Sequence, residues 1–211
     1  MAKLVSIEGN IGSGKSTILK FLKSLNSDNI VFVDEPVNKW KEIVVNGKNA
    51  LEHFYDNIPK NAFWFQVLAY ITRLKDLINV IDNNPDKIII CERSIYTDKM
   101  IFAKMLHSSG HINDIEWATY CYWFDTFKEK SRPDIILYVN TEPEECINRI
   151  VKRNREEEVG KINLEYLQMC HKHHQDWLCN DVNDINIINI NGHQSIENIQ
   201  QFMTDTLNNL F

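Results

Sequence analysis

A glycine-rich segment near the start of the chain, Gly9–Thr17, constrains the fold more than any other feature of the sequence. It has the spacing G-x-x-x-x-G-K-[ST] and stands between an apolar run and a helical pattern, the context in which this spacing forms a phosphate-binding loop. Its glycines let backbone N–H groups surround a phosphate, and the N-terminus of the next helix adds positive potential there. The segment therefore predicts a nucleoside-triphosphate site rather than a simple helix-capping turn.

Every residue of this loop is expected to contact the nucleotide phosphates, and two side chains have particular roles. Lys15 is predicted to reach the β- and γ-phosphates and to act in catalysis, and the Ser16 hydroxyl is predicted to ligate Mg²⁺. The predicted phosphate-binding set is Gly9, Asn10, Ile11, Gly12, Ser13, Gly14, Lys15, Ser16 and Thr17. A guanine-specific GTPase is not indicated, because the chain has neither D-x-x-G nor N-K-x-D spacing.

Short apolar runs alternate with helical patterns along the whole chain, which predicts an α/β fold with a five-stranded parallel sheet flanked by helices. The predicted strands are Lys3–Glu8, Ile30–Asp34, Lys87–Cys91, Asp134–Asn140 and Ile185–Ile190. The predicted helices are Lys15–Leu25, Ala62–Asn79, Asp114–Phe127, Pro143–Glu158, Leu164–Cys179 and Gln194–Leu210. No repeat or flexible linker interrupts them, so residues 1–211 are expected to form a single domain.

Composition and charge disfavour several classes of protein. A net charge of −6 does not suit a surface that follows a nucleic-acid backbone, and the longest apolar-rich segment, Ala62–Ile71, is too short to cross a bilayer. The five cysteines are dispersed without CxxC spacing, which is typical of reduced thiols. With no targeting segment visible, these features predict a cytoplasmic protein that binds neither nucleic acid nor membrane.

Charged residues follow two predicted strands at their carboxyl ends, where ligands bind in parallel sheets. Glu35 follows the second strand and is a candidate base for an acceptor hydroxyl, although a turn carboxylate fits the same pattern. After the third strand, Glu92 is placed to hold Mg²⁺, and Arg93 is placed to bind the transferring phosphate or to steady Glu35. The alternative for this second pair is a structural ion pair.

One face of the predicted helix Ala62–Asn79 is unusually polar for a core face. Gln66, Ala69 and Arg73 recur on it at helical spacing, with Phe65 beside them. A buried amide needs partners, and a nucleobase edge would supply them while Phe65 or Phe102 stacks on the ring. A half-exposed amphipathic helix remains the alternative.

A basic cluster, Arg149, Lys152, Arg153 and Arg155, precedes an acidic run that ends at Glu158. In an acidic protein this cluster favours a lid, about residues 149–163, that closes over phosphates, although a solvated helix with charge pairs fits the same run. The histidines at 171, 173 and 174 do not predict a metal site, because the ligand set is incomplete.

Taken together, these motifs resemble the deoxynucleoside kinase family, from Ser6 to about Trp177. The resemblance implies a P-loop kinase fold, ATP with Mg²⁺ as phosphoryl donor, lid arginines at Arg149, Arg153 and Arg155, and a homodimer. It implies that Glu35 is the base for the 5′-hydroxyl with Arg93 as its partner, and that Tyr55 and Glu158 hold the 3′-hydroxyl. The implied nucleoside-binding set is Glu35, Trp40, Phe54, Tyr55, Phe65, Gln66, Ala69, Arg73, Arg93, Asp98, Phe102 and Glu158.

Arg73 and Asp98 match the members of this family that act on deoxycytidine or purine deoxynucleosides. An Arg73–Asp98 pair would present a polar wall to one edge of the base, so we expect these nucleosides to be preferred over thymidine. Two other functions remain open from the residues alone. A thymidylate-type monophosphate kinase shares the architecture, but its phosphorylated acceptor would favour a dedicated arginine near the second strand, where Glu35 offers a base instead. A regulatory P-loop ATPase would turn over ATP without any nucleoside.

Overall fold

The sheet predicted from the sequence is present in the computed structural model, which describes residues 2–180 and 185–210. Five parallel strands form it in the order β2-β5-β1-β6-β7. A short antiparallel hairpin, β3–β4, stands apart from this sheet. The strands are β1 Lys3–Gly9, β2 Ile30–Val33, β3 Val44–Val45, β4 Lys48–Asn49, β5 Ile88–Glu92, β6 Ile135–Asn140 and β7 Asn186–Asn191. Each predicted strand of the parallel sheet agrees with the structure to within one residue at either end.

Helices cover both faces of the sheet. They are α1 Lys15–Ser24, α2 Val37–Glu42, α3 Ala50–Asp56, α4 Ile58–Asn83, α5 Ile95–Thr97, α6 Lys104–Ser108, α7 Asp114–Phe127, α8 Pro143–Arg153, α9 Leu164–Asn180 and α10 Ile196–Leu210. A π-helical segment, Asp98–Ala103, joins α5 to α6. On one face, α1 and α10 pack on strand residues such as Val5 and Leu137, and on the other α4 and α9 contribute to a larger core.

The predicted helix Pro143–Glu158 is wrong at its end. The helix stops at Arg153 because Asn154 adopts the left-handed conformation, with φ 54°, that commonly ends helices. Residues 154–163 form turns, so most of the expected lid lies in irregular chain after α8. None of the helices in the described part of the chain is long and apolar enough to cross a membrane.

Several elements were not predicted: the short helices α2 and α3, the hairpin, and a helical stretch after β5. The hairpin turns at Asn46 and Gly47, which both have positive φ, and this dipeptide is a strong hairpin signal that the sequence analysis did not use. The helical stretch from Ile95 to Ser108 was also missed. It begins directly after Arg93 and Ser94, so the structure adds a helix at the edge of the predicted site.

The chain order around β1 places the site. From β1 the chain builds β2 and β5 on one side and then β6 and β7 on the other, which makes the carboxyl end of β1 a topological switch point. The glycine-rich loop leaves from this point, Glu35 follows β2, and Glu92 ends β5. Three separate motifs are therefore brought to one edge of the sheet.

Candidate active site

The glycine-rich loop encloses the side chain of Lys15. This side chain is buried, and its Nζ donates to the carbonyl oxygen of Asn10 at 2.7 Å. Burial, followed by the charge of Arg93, lowers the pKa of Lys15 to about 8. An incoming phosphate would raise the pKa again, because its negative charge favours the ammonium form of Lys15.

Two loop residues contact the neighbouring helices and fix the position of the loop. The amide of Asn10 donates to the carbonyl of Leu167 in α9 at 2.9 Å, so this side chain anchors the loop. Gly12 has φ +80°, and a Cβ there would lie 2.5 Å from the carbonyl oxygen of Cys146 in α8. Only glycine fits this close approach.

The two residues predicted to ligate a metal lie together. The Ser16 hydroxyl donates to Oε1 of Glu92 at 2.8 Å. A hydroxyl and a carboxylate are the hard oxygen donors that Mg²⁺ prefers, and this ion commonly completes its coordination with phosphates and water. No cluster of three or more His, Cys, Asp or Glu side chains suited to a metal occurs among the described residues, so a metal here would depend on the nucleotide.

Glu35 lies between two arginines. Its Oε1 accepts from Arg93 Nη1 at 2.6 Å and from Arg73 Nη2 at 3.1 Å. Burial raises the pKa of Glu35, but the charges of Arg93 and Arg73 outweigh it and lower the pKa to about 2. The carboxylate is therefore ionised and held in one orientation at physiological pH.

Arg73 also joins Glu35 to the residue predicted to face the base. Its Nε donates to Oδ2 of Asp98 at 2.9 Å, and its Nη1 donates to the carbonyl of Glu92 at 2.9 Å. Arg73 and Asp98 are both almost fully buried. Burial raises the pKa of Asp98, whereas the arginine acts against that shift. The pair forms a fixed polar wall on one side of the cavity.

Gln66 lines the same cavity, and the oxygen of its side-chain amide is an unpaired hydrogen-bond acceptor among the described residues. Its side chain is buried, and Oε1 has no hydrogen-bond partner in the described part of the chain. Phe65 stands beside it, stacked on Phe54 with ring centroids 4.4 Å apart and in edge contact with Trp40 at 5.4 Å. A ligand edge with a hydrogen-bond donor would satisfy the amide oxygen.

The remaining predicted nucleoside contacts lie around this polar wall. Ala69 is buried on the Gln66 face of α4 and lines the cavity. The guanidinium of Arg93 lies 5.3 Å from the ring centroid of Phe102, which orients both groups. Tyr55 lines the cavity as well, and burial raises the pKa of its hydroxyl.

The arginines of the expected lid are engaged in different ways. Arg149 donates to the carbonyl of Ser13 at 3.0 Å and to that of Gly192 at 2.8 Å, so it already lies on the phosphate loop. Arg153 and Arg155 both donate to the carboxylate of Glu158. No hydrogen bond joins Tyr55 to Glu158 within the residues described, although both line the same cavity.

The histidine run lies outside the site. His174 is buried, its Nδ1 lies 2.7 Å from the carbonyl of Cys170, and its ring stacks on Tyr138. Burial lowers the pKa of His174 to about 3, so the ring is neutral. This histidine is a packing residue of α9.

One cavity of about 550 Å³ connects these features. The phosphate loop lies at one end, and Glu35, Gln66 and Asp98 lie at the other. The cavity also includes residues that the sequence analysis did not select: Phe21, Tyr166, Gly192, Gln194, Ile196, Ile199 and Gln200. They carry no recognisable motif, and the residues from 192 onward reach the cavity only because α10 packs beside α1.

A family model for deoxynucleoside kinase matches residues 5–210 of the chain. The chain belongs to the deoxynucleoside kinase family. Curated relatives agree with this assignment. The chain is 36% identical over 195 residues to deoxycytidine kinase 2 of Gallus gallus, covering 82% of this chain and 73% of that protein. It is 38% identical over 179 residues to a probable deoxycytidine kinase of fowlpox virus, covering 83% of this chain and 72% of that protein.

A third relative is mitochondrial deoxyguanosine kinase of Xenopus laevis, 31% identical over 207 residues, which covers 89% of this chain and 77% of that protein. The family assignment confirms the predicted fold and makes the protein a phosphotransferase. As in any deoxynucleoside kinase, one site must hold a phosphoryl donor and a nucleoside together. The continuous cavity from the phosphate loop to Gln66 has the arrangement that this reaction requires.

Proposed function

We propose that the protein transfers the γ-phosphoryl group of ATP to the 5′-hydroxyl of a deoxynucleoside in nucleotide salvage, and that it prefers deoxycytidine or a purine deoxynucleoside to thymidine. One observation carries the base preference. The buried ion pair between Arg73 and Asp98 forms part of the wall of the acceptor end of the cavity, on the helix face that also carries Gln66.

Glu35 aligns the acceptor and takes its proton. The 5′-oxygen attacks the γ-phosphorus in line, the bond to the ADP oxygen breaks, and the hydroxyl proton passes to Glu35. A carboxylate with a pKa of about 2 is a weak base in the free enzyme. It suffices because the transition state of phosphoryl transfer is loose, so we infer that the hydroxyl loses its proton late, when bonding to phosphorus has made it acidic.

Lys15, Arg93 and the lid arginines hold the transferring phosphate. Mg²⁺, when bound through Ser16 and Glu92, neutralises charge on the β- and γ-phosphates. Arg149 lies on the loop already, whereas Arg153 and Arg155 bind Glu158. When the nucleotide binds, these two arginines release Glu158 and contact the phosphates instead. Glu158 is then free to act with Tyr55 at the 3′-hydroxyl of the sugar.

The base is recognised by the amide of Gln66 on one edge and by the Arg73–Asp98 wall. A cytosine or purine presents exocyclic amino and carbonyl groups to such a wall. The methyl group of thymine would instead leave the remaining hydrogen-bonding positions of this buried pair unused, at a cost of about 1–3 kcal/mol, or about one to two decades in kcat/KM. Phe54 lines the same end of the cavity and stacks on Phe65, which limits the space for the base.

The experiment that tests this function measures ATP consumption and product identity with each of the four natural deoxynucleosides, each monophosphate, DNA, and no acceptor. We expect 5′-monophosphates from deoxynucleosides, with thymidine the poorest substrate. Activity only on monophosphates would indicate the thymidylate-type alternative, and acceptor-independent ATP hydrolysis would indicate a regulatory ATPase. Thymidine as the best substrate would contradict the base preference alone.

We also propose a homodimer that forms through α4 and α7. Tyr70 of α4 donates to the carbonyl of Trp123 in α7, so the two helices lie side by side. The outer face of α7 exposes Ile115, Tyr122 and Trp123 at 74%, 76% and 52%, and α4 adds Ile71 at 48%. Exposed apolar patches of this kind are typical of protein interfaces.

A second copy of the chain is the partner, because an isologous contact covers the same patch on both subunits. Sedimentation of Tyr122→Glu is expected to show a monomer where the unaltered protein is a dimer. Val44→Glu places the same charge on another exposed apolar residue, in the hairpin, and should leave the dimer intact. A monomeric unaltered protein would contradict the proposal.

We further propose a reducing compartment such as the cytoplasm. The cysteines at 91, 121, 146, 170 and 179 are all free thiols in the structure. Thiol counting on protein purified without reductant tests this point, because disulfides in the native protein would indicate an oxidising compartment.

A further inference from the structure

A buried carboxylate that no step of this reaction uses lies beneath the turn after β5. Glu8, one residue before the end of β1, has no solvent exposure. Burying an ionised carboxylate is unfavourable unless its oxygens are well hydrogen-bonded. The partners of Glu8 therefore show what its burial maintains.

Four hydrogen bonds reach the carboxylate, all from neutral donors. The backbone N–H of Ser94 donates to Oε1 at 3.1 Å and the Ser94 hydroxyl donates to the same oxygen at 2.8 Å. The hydroxyl of Thr97 donates to Oε2. The Ser6 hydroxyl, two residues away in the same strand, completes the set. Three of these four hydrogen bonds thus come from the turn and the first helical residues after β5.

The turn held in this way carries Arg93 in an unfavourable backbone conformation. Arg93 has φ +63°, which is uncommon for a residue with a side chain and persists only where the surroundings enforce it. Its N–H donates to the carbonyl of Ile7 at 3.0 Å, and the next residue, Ser94, binds Glu8. Two adjacent residues of β1 therefore fix two adjacent residues of the turn.

We propose that Glu8 is a positioning residue for phosphoryl transfer. By holding Ser94 and Thr97 it keeps Arg93 in the conformation that places its guanidinium 2.6 Å from Glu35. It also fixes the start of the helical stretch that carries Asp98. Glu8 itself is fully buried and does not line the cavity. The role rests on the proposed function, because the affected step is transfer to the 5′-hydroxyl.

The first test compares Glu8→Ala with Glu8→Gln. Glu8→Ala removes the acceptors for the turn, and we expect kcat to fall about 10- to 100-fold, as for other small misplacements of catalytic groups, while the KM for ATP changes less than about threefold. Glu8→Gln keeps an oxygen for Ser94 and offers an N–H to the Thr97 hydroxyl, so it should restore most of kcat. A Glu8→Gln enzyme as slow as Glu8→Ala would overturn the proposal, because the charge and not the hydrogen bonds would then matter.

Two further variants separate positioning from general stability. Ser6→Ala removes a hydrogen bond from the same carboxylate without touching the turn, and it should leave kcat unchanged. Thr97→Val removes a hydrogen bond from the turn side with little change in shape, and it should lower kcat. Equal effects of the two on kcat would overturn the proposal, and this comparison remains informative even if Glu8→Ala fails to fold.

A double-mutant cycle identifies the residue through which Glu8 acts. In an Arg93→Ala background, Glu8→Ala should cause little further fall in kcat, because the positioned group is already gone. If Glu8→Ala lowers kcat by the same factor with and without Arg93→Ala, the two residues act independently and the proposal is contradicted.

Hydrogen exchange supplies a readout that needs no kinase activity. Glu8→Ala should accelerate exchange in the peptide that covers residues 92–98, and Ser6→Ala should not. An unaltered protein that phosphorylates no deoxynucleoside would refute the proposed function, whereas unchanged exchange in Glu8→Ala would refute the positioning role.

Discussion

Nη1 of Arg93 lies 2.6 Å from Oε1 of Glu35, and the two residues are 58 positions apart in the chain. This contact joins the end of β5 to the loop after β2. It keeps the carboxylate ionised and in one orientation. Under the proposed function, the acceptor hydroxyl would therefore meet a base whose orientation is already set. Loss of the carboxylate should therefore lower the rate of phosphoryl transfer more than it weakens nucleoside binding.

Glu35→Gln is expected to lower kcat by at least about 10²-fold, the usual loss when a general base is removed. The KM for the nucleoside should change much less, because the amide keeps the shape of the side chain. Steady-state kinetics with saturating ATP measure both constants. A raised KM with an unchanged kcat would show that Glu35 binds substrate and that the base lies elsewhere.

Lys15→Ala should abolish phosphoryl transfer and leave the fold intact, because it removes the charge that stabilises the phosphates, an effect of several kcal/mol in such sites. Circular dichroism and ligand-free melting provide the control for folding. A Lys15→Ala enzyme with near-normal kcat would exclude the loop from the mechanism.

The pH dependence of ATP binding follows from the pKa of about 8 at Lys15. Below that pH the ammonium is charged in the free enzyme. Above it the free enzyme is increasingly neutral, while bound triphosphate raises the pKa and favours the charged form. We therefore expect ATP affinity to fall as pH rises through about 8, with proton uptake on binding.

Calorimetry in buffers of different ionisation enthalpy measures that proton uptake. Lys15→Arg keeps the charge at all accessible pH values and serves as the matched control, since its binding should take up no proton at this position. Proton release on ATP binding above pH 8 would contradict the assignment.

The paired variant Arg73→Met with Asp98→Ala should raise the ratio of kcat/KM for thymidine to that for deoxycytidine by about 10-fold or more. The ratio is the proper measure, because Arg73 also donates to Glu35 and its loss will slow every substrate. Arg73→Met alone should destabilise the fold more than the pair, because it leaves Asp98 buried and unpaired. An unchanged ratio would show that another feature excludes thymidine.

Gly12→Ala should prevent ATP binding, because the added Cβ would lie 2.5 Å from the carbonyl of Cys146. Gly110→Ala is the matched control. It has a similar φ of +75° but no atom within 4 Å of the new Cβ, so it carries only the backbone cost of about 1–2 kcal/mol. Measuring ATP affinity and melting temperature for both variants separates the effect of the steric contact with Cys146 from the effect of backbone strain. Equal behaviour would contradict the steric argument.

The sequence by itself determined the parallel sheet, the glycine-rich loop after its first strand and the family. Apolar runs, helical periodicity and the glycine spacing of Gly9–Thr17 are properties of neighbouring residues, so they can be identified without knowing the packing. The position of Glu35 and Glu92 at strand ends followed from the same reasoning. The extent of α8 did not, because the left-handed turn at Asn154 outweighed the continuing helical pattern.

Tertiary structure alone decided which of these residues meet. Arg73 binds Glu35 in addition to Asp98, Glu158 binds both Arg153 and Arg155, and Glu8 lies under the turn that carries Arg93. Each of these contacts joins residues whose separation depends on how helices pack on the sheet or on how an irregular segment folds. A buried charge takes whichever partners the fold brings within hydrogen-bonding distance, and local sequence patterns carry no information about that distance.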